Sequence, residues 1–354
     1  MRVLIGDRFG RILTEVEPQV DPMSVLLNEL GKTKLRFSSS DSKATETNLQ
    51  FGNTVYIEPD NGIPPWGGIL DLPRTWAAGV INVPCYTIGY VLQSRLTGKN
   101  DLYYEEQVGG VFQKSLERIQ QQDPLGLVFG NIWNGGRAHY PRYNYKTLWY
   151  VLNFSLRNME TCDFKFTPYL DEGVIRFKAE LFQVAGSNKS SSVTLYEGMN
   201  TEASAEIEEQ GQLVNTHYAV GEGSAWDDTR PVVIGTSPES IARYGLRESR
   251  EIYTAVTLPA TLEMHARHVL KHQAEPQRLF RLKVTNDAPG LFSSYDVGDV
   301  VQCVLPSYTF GGFDKPVRVI GREYNPNSGI CGLIVEQPQE IDYWIKENEL
   351  EPEE

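Results

Sequence analysis

Two stretches near opposite ends of the chain decide its fold: Gly52-Asn53-Thr54-Val55-Tyr56-Ile57 and Gly298-Asp299-Val300-Val301-Gln302-Cys303-Val304. Each is a run of mainly apolar and β-branched residues led by a glycine, which is typical of a strand that follows a turn. Because the same pattern occurs twice, it indicates a repeated module and so concerns architecture more than catalysis.

The residues around the two stretches also recur in the same order. An alternating strand precedes each one, with 15 residues from Phe37 to Gly52 and 16 from Leu282 to Gly298. Further upstream we predict a helix in both copies, the first one beginning at Asp21-Pro22, a cap residue and a first-turn proline. The matching segments are helices at 22–30 and 259–271, strands at 35–37 and 280–284, and later strands at 67–70 and 317–320.

The sequence between the two copies follows a different pattern. Apolar residues recur at helical spacing over 111–122 and 148–159, and a hairpin with its turn at 171–173 follows. A short connector helix is predicted after Ser237-Pro238, capped by Ser237 and ended by Gly245.

A chain of 354 residues has room for two or three domains. We predict a mainly β protein with an α+β insertion. Its parts are a first β-barrel at 1–92, an α+β domain at 93–185, a second β-barrel with connector helices at 186–345, whose late strands can interleave with another domain, and an acidic tail at 346–354.

Charge and cysteine content exclude several classes of protein. The chain has 33 Lys and Arg against 46 Asp and Glu, a net charge of −13, whereas proteins that grip nucleic acid are normally basic. The four cysteines are far apart and form no CxxC pair, so no zinc or redox motif is present. No leader peptide or apolar run of membrane-spanning length is present, and we expect synthesis and assembly in a reducing cytoplasm.

Three histidines are the only candidates for a metal site. His265, His268 and His272 fall on one face of the predicted helix and suggest a metal site or a pH-sensitive interface. No carboxylate or cysteine completes a ligand pattern there, so an exposed or inter-subunit polar face is the favoured interpretation. The buried stripe of the helix is assigned to Leu262, Ala266, Val269 and Leu270.

Other motifs that suggest chemistry are weak. Paired glycines at 67–68, 109–110, 135–136 and 311–312 lack the form of a phosphate-binding loop, so we predict turns there. Asp227-Asp228 resembles a pair of hydrolytic carboxylates but has no partner of suitable spacing, and a solvated loop is favoured. We therefore predict no catalytic, cofactor-binding or metal-binding residues, no cofactor and no enzymatic activity.

An aromatic cluster is the strongest candidate for binding. Residues 139–145, His-Tyr-Pro-Arg-Tyr-Asn-Tyr, are followed by Trp149 and Tyr150. Such a cluster can stack on a carbohydrate or nucleic acid, but Tyr, Trp and Arg are also enriched in protein interfaces. Packing between subunits is the favoured interpretation.

Three later segments, taken in order, resemble the hub proteins at the tail tip of long-tailed bacteriophages. They are the strand around Val214-Asn215, the connector Ser240-Ile241-Ala242-Arg243-Tyr244-Gly245, and Tyr295-Asp296-Val297-Gly298-Asp299. The early Trp66-Gly67-Gly68-Ile69 also looks like the first barrel of such hubs, and the resemblance covers roughly residues 50–335. Related hubs occur in contractile tails, tailocins and type VI secretion spikes.

The resemblance implies a homotrimer in which each chain donates two similar barrels to a ring of six. Such a ring adapts a sixfold tail tube to a threefold tip and forms a channel for the tape-measure protein and DNA, which passes without specific binding. The implied partners are distal tail or tail-tube proteins, tip or fibre proteins and the tape-measure protein. Two alternatives remain open: a carbohydrate-binding adsorption module using Tyr143, and a cell-wall hydrolase using Asp227 or Asp228.

Overall fold

The computed structural model describes residues 1–60, 62–202, 206–210, 212–223, 230–253, 256–308, 311–337 and 344–347. The described residues form mainly strands, as predicted, arranged in several sheets. The strands of the first half are β1 (Arg2–Gly6), β2 (Ile12–Val16), β3 (Gln19–Val20), β4 (Met23–Leu26), β5 (Lys32–Ser38), β6 (Thr54–Glu58), β7 (Trp66–Leu70), β8 (Thr75–Ala77), β9 (Val80–Thr87), β10 (Asp101–Leu102), β11 (Leu127–Ile132), β12 (Arg142–Tyr143), β13 (Asp163–Asp171) and β14 (Val174–Phe182).

The second half continues the β-rich pattern. Its strands are β15 (Thr194–Tyr196), β16 (Glu206–Gln210), β17 (Thr216–Val220), β18 (Val232–Thr236), β19 (Glu248–Ile252), β20 (Gln277–Val284), β21 (Val300–Leu305), β22 (Phe313–Asn325), β23 (Ile330–Glu336) and β24 (Trp344–Glu347). The helices are α1 (Val108–Gln122), α2 (Leu148–Tyr150), α3 (Arg157–Met159), α4 (Pro238–Tyr244) and α5 (Pro259–Gln273); a π-helical segment, Val151–Leu156, joins α2 to α3, and 3-10 turns lie at Ile88–Gln93 and Phe292–Ser294.

The chain divides into two compact units. Unit 1 comprises Met1–Arg157, Cys162–Glu206 and Phe280–Val335, and unit 2 comprises Asn158–Thr161, Ile207–Leu279 and Glu336–Glu354. Unit 1 therefore contains both stretches that carry the sequence repeat.

The two main sheets of unit 1 share one strand order. In the first sheet, the central strands run β1-β6-β7-β9-β5, with β2 beside β1, β3 beside β5 and β8 paired to β9. In the second sheet, the order is β15-β21-β22-β23-β20. The five strands of each series also follow the same order along the chain, so the strand segments of the predicted repeat occupy equivalent places. One difference is that β1 pairs with β6 antiparallel, whereas β15 pairs with β21 parallel.

The leading glycines of the repeat are equivalent as well. Gly52 has φ +83° and Gly298 has φ +105°, a region that side chains with a Cβ rarely adopt. The amide of Gly52 donates to the carbonyl of Leu70 at 3.0 Å, and that of Gly298 donates to the carbonyl of Val319 at 2.7 Å. A glycine before each strand is thus required by the backbone turn that starts it.

The predicted helix at 22–30 is wrong. Residues Met23–Leu26 form β4, which pairs antiparallel with β22 of the second sheet, Met23 opposite Tyr324 and Leu26 opposite Gly321. The Asp21-Pro22 signal was local, whereas the partner strand lies almost 300 residues away. An early segment therefore completes the late sheet, and the indole Nε1 of Trp66 in β7 donates to the carbonyl of Ser24 in β4 at 3.0 Å.

The helices and hairpin between the sheets form as predicted. Strands β13 and β14 make an antiparallel hairpin through a turn at Glu172 and Gly173, both with positive φ, and β11 adds parallel to β14. Helix α1 buries one face through Val111, Phe112 and Leu116.

A buried polar cluster joins β13 to neighbouring segments. Asn28 donates to the Asp163 carboxylate at 2.7 Å and accepts the amide of Phe164 at 2.7 Å. Arg318 of β22 also donates to Asp163, and the amide of Ala185 donates to the same carboxylate at 2.9 Å. These bonds satisfy a carboxylate that burial alone would make costly.

Unit 2 packs α5 on a four-stranded sheet of order β19-β17-β18-β24. Leu262 and Ala266 of α5 are fully buried against Ala219 and Val233 of the sheet, as the predicted stripe requires. Helix α4 ends at Gly245, φ +74°, as predicted, but Ser237 makes no side-chain cap bond and is itself buried. Its carbonyl still accepts the first helical bond, from Ile241 at 3.1 Å.

Candidate interaction surface

The aromatic cluster of the sequence forms one strand of a two-stranded ribbon. Residues 139–148 run antiparallel to residues 95–106, and we call this pair the tyrosine ribbon. Its hydrogen bonds extend from the amide of Leu148, which donates to the Arg95 carbonyl at 2.8 Å, to the reciprocal amide–carbonyl pair of Glu106 and His139 at 2.8 and 3.0 Å. Strands β10 and β12 are its central part.

One face of the tyrosine ribbon packs inward. Tyr103 and Tyr143 are buried, with ring centroids 5.8 Å apart in an edge-to-face contact. The Tyr103 hydroxyl bonds Ser115 of α1 at 2.9 Å, and that of Tyr143 bonds Ser155 of the π-helical segment at 2.8 Å. Burial raises the pKa of both phenols, so both stay neutral. These contacts fix the ribbon on the helices.

The opposite face is open to solvent. Because side chains alternate along a strand, the residues beside Tyr103 and opposite to it point outward. Tyr104 is 69% exposed and Tyr140 is 49% exposed; their rings meet edge to face at 5.2 Å, and the Tyr140 hydroxyl donates to Glu105 at 2.9 Å. The other large exposed side chains of this face are Leu96, Leu102 and Tyr145, each more than half exposed.

A second exposed aromatic pair lies beside the ribbon. Tyr150 and Phe154 stack at 5.1 Å, and the ammonium group of Lys146 lies 5.0 Å from the Tyr150 ring. Lys146 itself belongs to the tyrosine ribbon, so this pair continues the apolar surface.

The charges around the ribbon are unbalanced. Its acidic residues Asp101 and Glu106 form ion pairs with Arg118 and Lys114 of α1. Lys99, Arg142 and Lys146 are exposed and form no ion pair within the described part of the chain. The outward face therefore combines apolar area with uncompensated positive charge.

The structure divides the predicted cluster between these two faces. His139 and Tyr143 are buried, whereas Tyr140 and Tyr145 are exposed. Tyr143 is therefore unsuited to bind a ligand on the surface, contrary to the carbohydrate alternative. Sequence reasoning missed Leu96, Leu102 and Tyr104 on the partner strand, although the alternation around Tyr103 was a usable signal.

The histidine face differs from expectation. His265, His268 and His272 are all half-buried and none is exposed. His265 stacks on Tyr253 with centroids 4.0 Å apart, and the rings of His268 and His272 lie 4.6 Å apart. Within the described ranges, no group of three His, Cys, Asp or Glu side chains is placed to hold a metal ion.

The remaining sequence candidates are quickly placed. Gly67 and Gly68 lie inside β7, and not in a turn as predicted, because a Cβ on Gly68 would lie 1.9 Å from the carbonyl oxygen of Tyr86. The pair at 109–110 lies in α1, again not in a turn. Asp227 and Asp228 lie outside the described residues. The four cysteines are buried free thiols. No helix among the described residues has the length and apolar character needed to cross a membrane.

Solved structures of phage tail proteins share this fold. The prophage tail protein gp18 of Listeria monocytogenes EGD-e is 15% identical, with 96% of each chain covered and a TM-score of 0.60. The 43 kDa tail protein of prophage MuSo2 from Shewanella oneidensis is 10% identical, covering 95% of this chain and 98% of its own, with a TM-score of 0.60. A tail protein of Neisseria meningitidis MC58 gives 11%, 95% and 97%, with a TM-score of 0.59.

The sequence comparisons gave no relatives: no protein-family model and no curated protein matches the chain. The likeness therefore concerns the fold, which this chain shares with phage tail proteins over nearly its whole length.

Proposed function

We propose that this chain is a structural protein of a bacteriophage tail, acting as a homotrimeric hub at the distal tip. The observation that carries the proposal is the fold shared with three phage tail proteins over 95% or more of the chain. The equivalent strand orders of the two main sheets of unit 1 support it, because a trimer with two similar modules per chain offers six related docking surfaces.

In this proposal the hub adapts a sixfold tail tube to a threefold tip. Its partners are distal tail or tail-tube proteins on one side and tip or fibre proteins on the other. The tape-measure protein and DNA pass through the central channel, and the net charge of −13 disfavours adhesion of DNA to its wall. The proposal assigns no reaction to the chain and places the mature protein in the virion, after assembly in the host cytoplasm.

The test is the mass and shape of the purified protein. Light scattering after size exclusion is expected to give about 120 kDa, three times the 39.9 kDa of one chain. Electron microscopy of the same fraction is expected to show rings with six similar lobes. A monomer at every concentration, also in the presence of tail-tube protein, contradicts the proposed hub.

A further inference from the structure

We propose that the outward face of the tyrosine ribbon binds a second copy of this chain. The inference rests on the proposed homotrimer and names a surface that holds it together. It is carried by the exposed area of Leu96, Leu102, Tyr104, Tyr140 and Tyr145 and by the charge that accompanies them.

The apolar area is too large for a surface without a partner. A buried aromatic side chain contributes about 150–250 Å², and the three tyrosines are 49% to 69% exposed. With the two leucines, the face offers on the order of 500 Å² of exposed side chain, and the stacked Tyr150 and Phe154 extend it. Standard interfaces bury about 800 Å² per partner, so this face supplies most of one side.

The residue types fit a protein interface. Tyrosine and arginine are enriched in interface cores, and rigid aromatic side chains lose little entropy when they bind. The ribbon is also well supported from behind, because Tyr103 and Tyr143 anchor it to two helical segments. A preorganised face of this kind loses little conformational freedom on association.

Charge favours another copy of this chain as the partner. Residues 93–157 carry eight Lys and Arg against five Asp and Glu, whereas the whole chain carries 33 against 46. The rest of the chain is therefore strongly acidic. Lys99, Arg142 and Lys146 have no ion partner among the described residues, and an acidic surface of a neighbouring copy complements them.

A glycan fits this face less well. Sugar recognition needs polar groups that bond hydroxyls, but the Tyr140 hydroxyl is already bonded to Glu105, and Leu96 and Leu102 offer none. Nucleic acid is disfavoured by the overall charge. A glycan ligand is therefore the competing outcome of the experiment below.

The experiment compares assembly of the wild type with that of a double variant, Leu102→Ser with Tyr104→Ser. Both side chains are exposed, so the fold is expected to persist, which circular dichroism and thermal unfolding will verify. Trp76→Ser is the matched control, since Trp76 is 62% exposed on the β8–β9 hairpin away from the ribbon. Sedimentation velocity over a dilution series is expected to show at least a tenfold weaker assembly for the double variant and no change for the control.

Salt and cross-linking provide independent readouts. Raising NaCl from 50 to 500 mM is expected to weaken assembly of the wild type, and Arg142→Glu is expected to weaken it at low salt. A photo-cross-linking amino acid at position 104 is expected to join two copies of the chain.

The outcomes separate this inference from the proposed function. Wild-type and double-variant proteins that assemble equally well overturn the inference and leave the trimeric hub intact. A wild type that stays monomeric overturns both. Binding on a glycan array that Tyr104→Ala abolishes, with assembly unchanged, overturns the inference in favour of a glycan site.

Discussion

Asn53 and Asp299 occupy the same position in the two main sheets of unit 1. The amide of Leu70 donates to the carbonyl of Asn53 at 2.8 Å, and the amide of Val319 donates to the carbonyl of Asp299 at 2.9 Å. Both side chains are about 95% buried. Each follows a glycine of positive φ, so the repeat extends from strand order to single hydrogen bonds.

The two side chains nevertheless have opposite roles. Asn53 donates from Nδ2 to the carbonyls of Thr47 and Asn48, at 2.8 and 3.0 Å. Asp299 accepts from the amide of Ser187 and the ammonium group of Lys189, both at 2.7 Å. The same backbone position therefore holds a donor in one sheet and an acceptor in the other.

Asp299→Asn is expected to destabilise the protein by about 2 kcal/mol, because it replaces a charged acceptor that faces Lys189. Burial alone would raise the pKa of Asp299, but the bonds from Lys189 and from the amides of Asp296 and Ser187 outweigh it and lower that pKa. The carboxylate therefore contributes fully above about pH 4 and loses its contribution as pH falls through the lower folded value. Urea unfolding at pH 7 checks the loss, and an unchanged midpoint contradicts it.

Gly298→Ala is expected to cost more stability than Gly52→Ala. Both positions have positive φ, for which a residue with a Cβ loses about 1–2 kcal/mol. A Cβ at Gly52 has no atom within 4 Å, whereas one at Gly298 lies 3.0 Å from the backbone of Ala185. Parallel urea titrations of the two variants provide the measurement, with equal losses as the contrary result.

Tyr143→Phe is expected to lower stability by about 1 kcal/mol, since it leaves the buried Ser155 hydroxyl without its partner. Tyr140→Phe removes a hydroxyl from an exposed ring and is expected to change stability by less than about 0.5 kcal/mol. Thermal unfolding of both variants checks the contrast between the two faces of the ribbon. If the exposed tyrosine proved the more sensitive, the assignment of faces would be wrong.

Unit 2 is expected to lose stability as pH falls from about 6.5 to about 4. Burial lowers the pKa of His265 to about 4, with Glu251 opposing and His217 reinforcing the shift. The unfolded chain therefore binds a proton that the folded unit excludes, and the loss reaches about 3 kcal/mol at the acid end of this range. His265→Phe keeps a ring against Tyr253 but removes the titration, so unfolding between pH 4 and 7 is expected to show a shallower slope than in the wild type. Equal slopes refute this role of His265.

Local signals made much of the fold predictable. The hairpin at 171–173 and the helix ending at Gly245 follow from turn and cap residues that act within a few positions. The repeat was visible because its glycines are required by the backbone at Gly52 and Gly298. The aromatic residues at 139–145 likewise marked the binding surface correctly as a region.

Long-range pairing was not predictable from one sequence. Residues 23–26 carry a helix-start signal, yet they pair with β22, and this contact leaves no trace near Pro22. The same limit applies to the tyrosine ribbon, in which His139 pairs with Glu106, 33 residues earlier. Which tyrosines are buried depends on that partner strand, so the two faces could not be separated in advance.

The place of β4 has a consequence for biosynthesis. Its partner residues on β22 are translated almost 300 residues later, which at 5–20 residues per second takes roughly 15–60 s. During that interval, the nascent amino-terminal sheet has formed beside an unpaired strand that the ribosome has not yet matched. Maturation of the first module is thus tied to completion of the last, so that truncated chains made by interrupted translation lack a strand partner and are excluded from assembly.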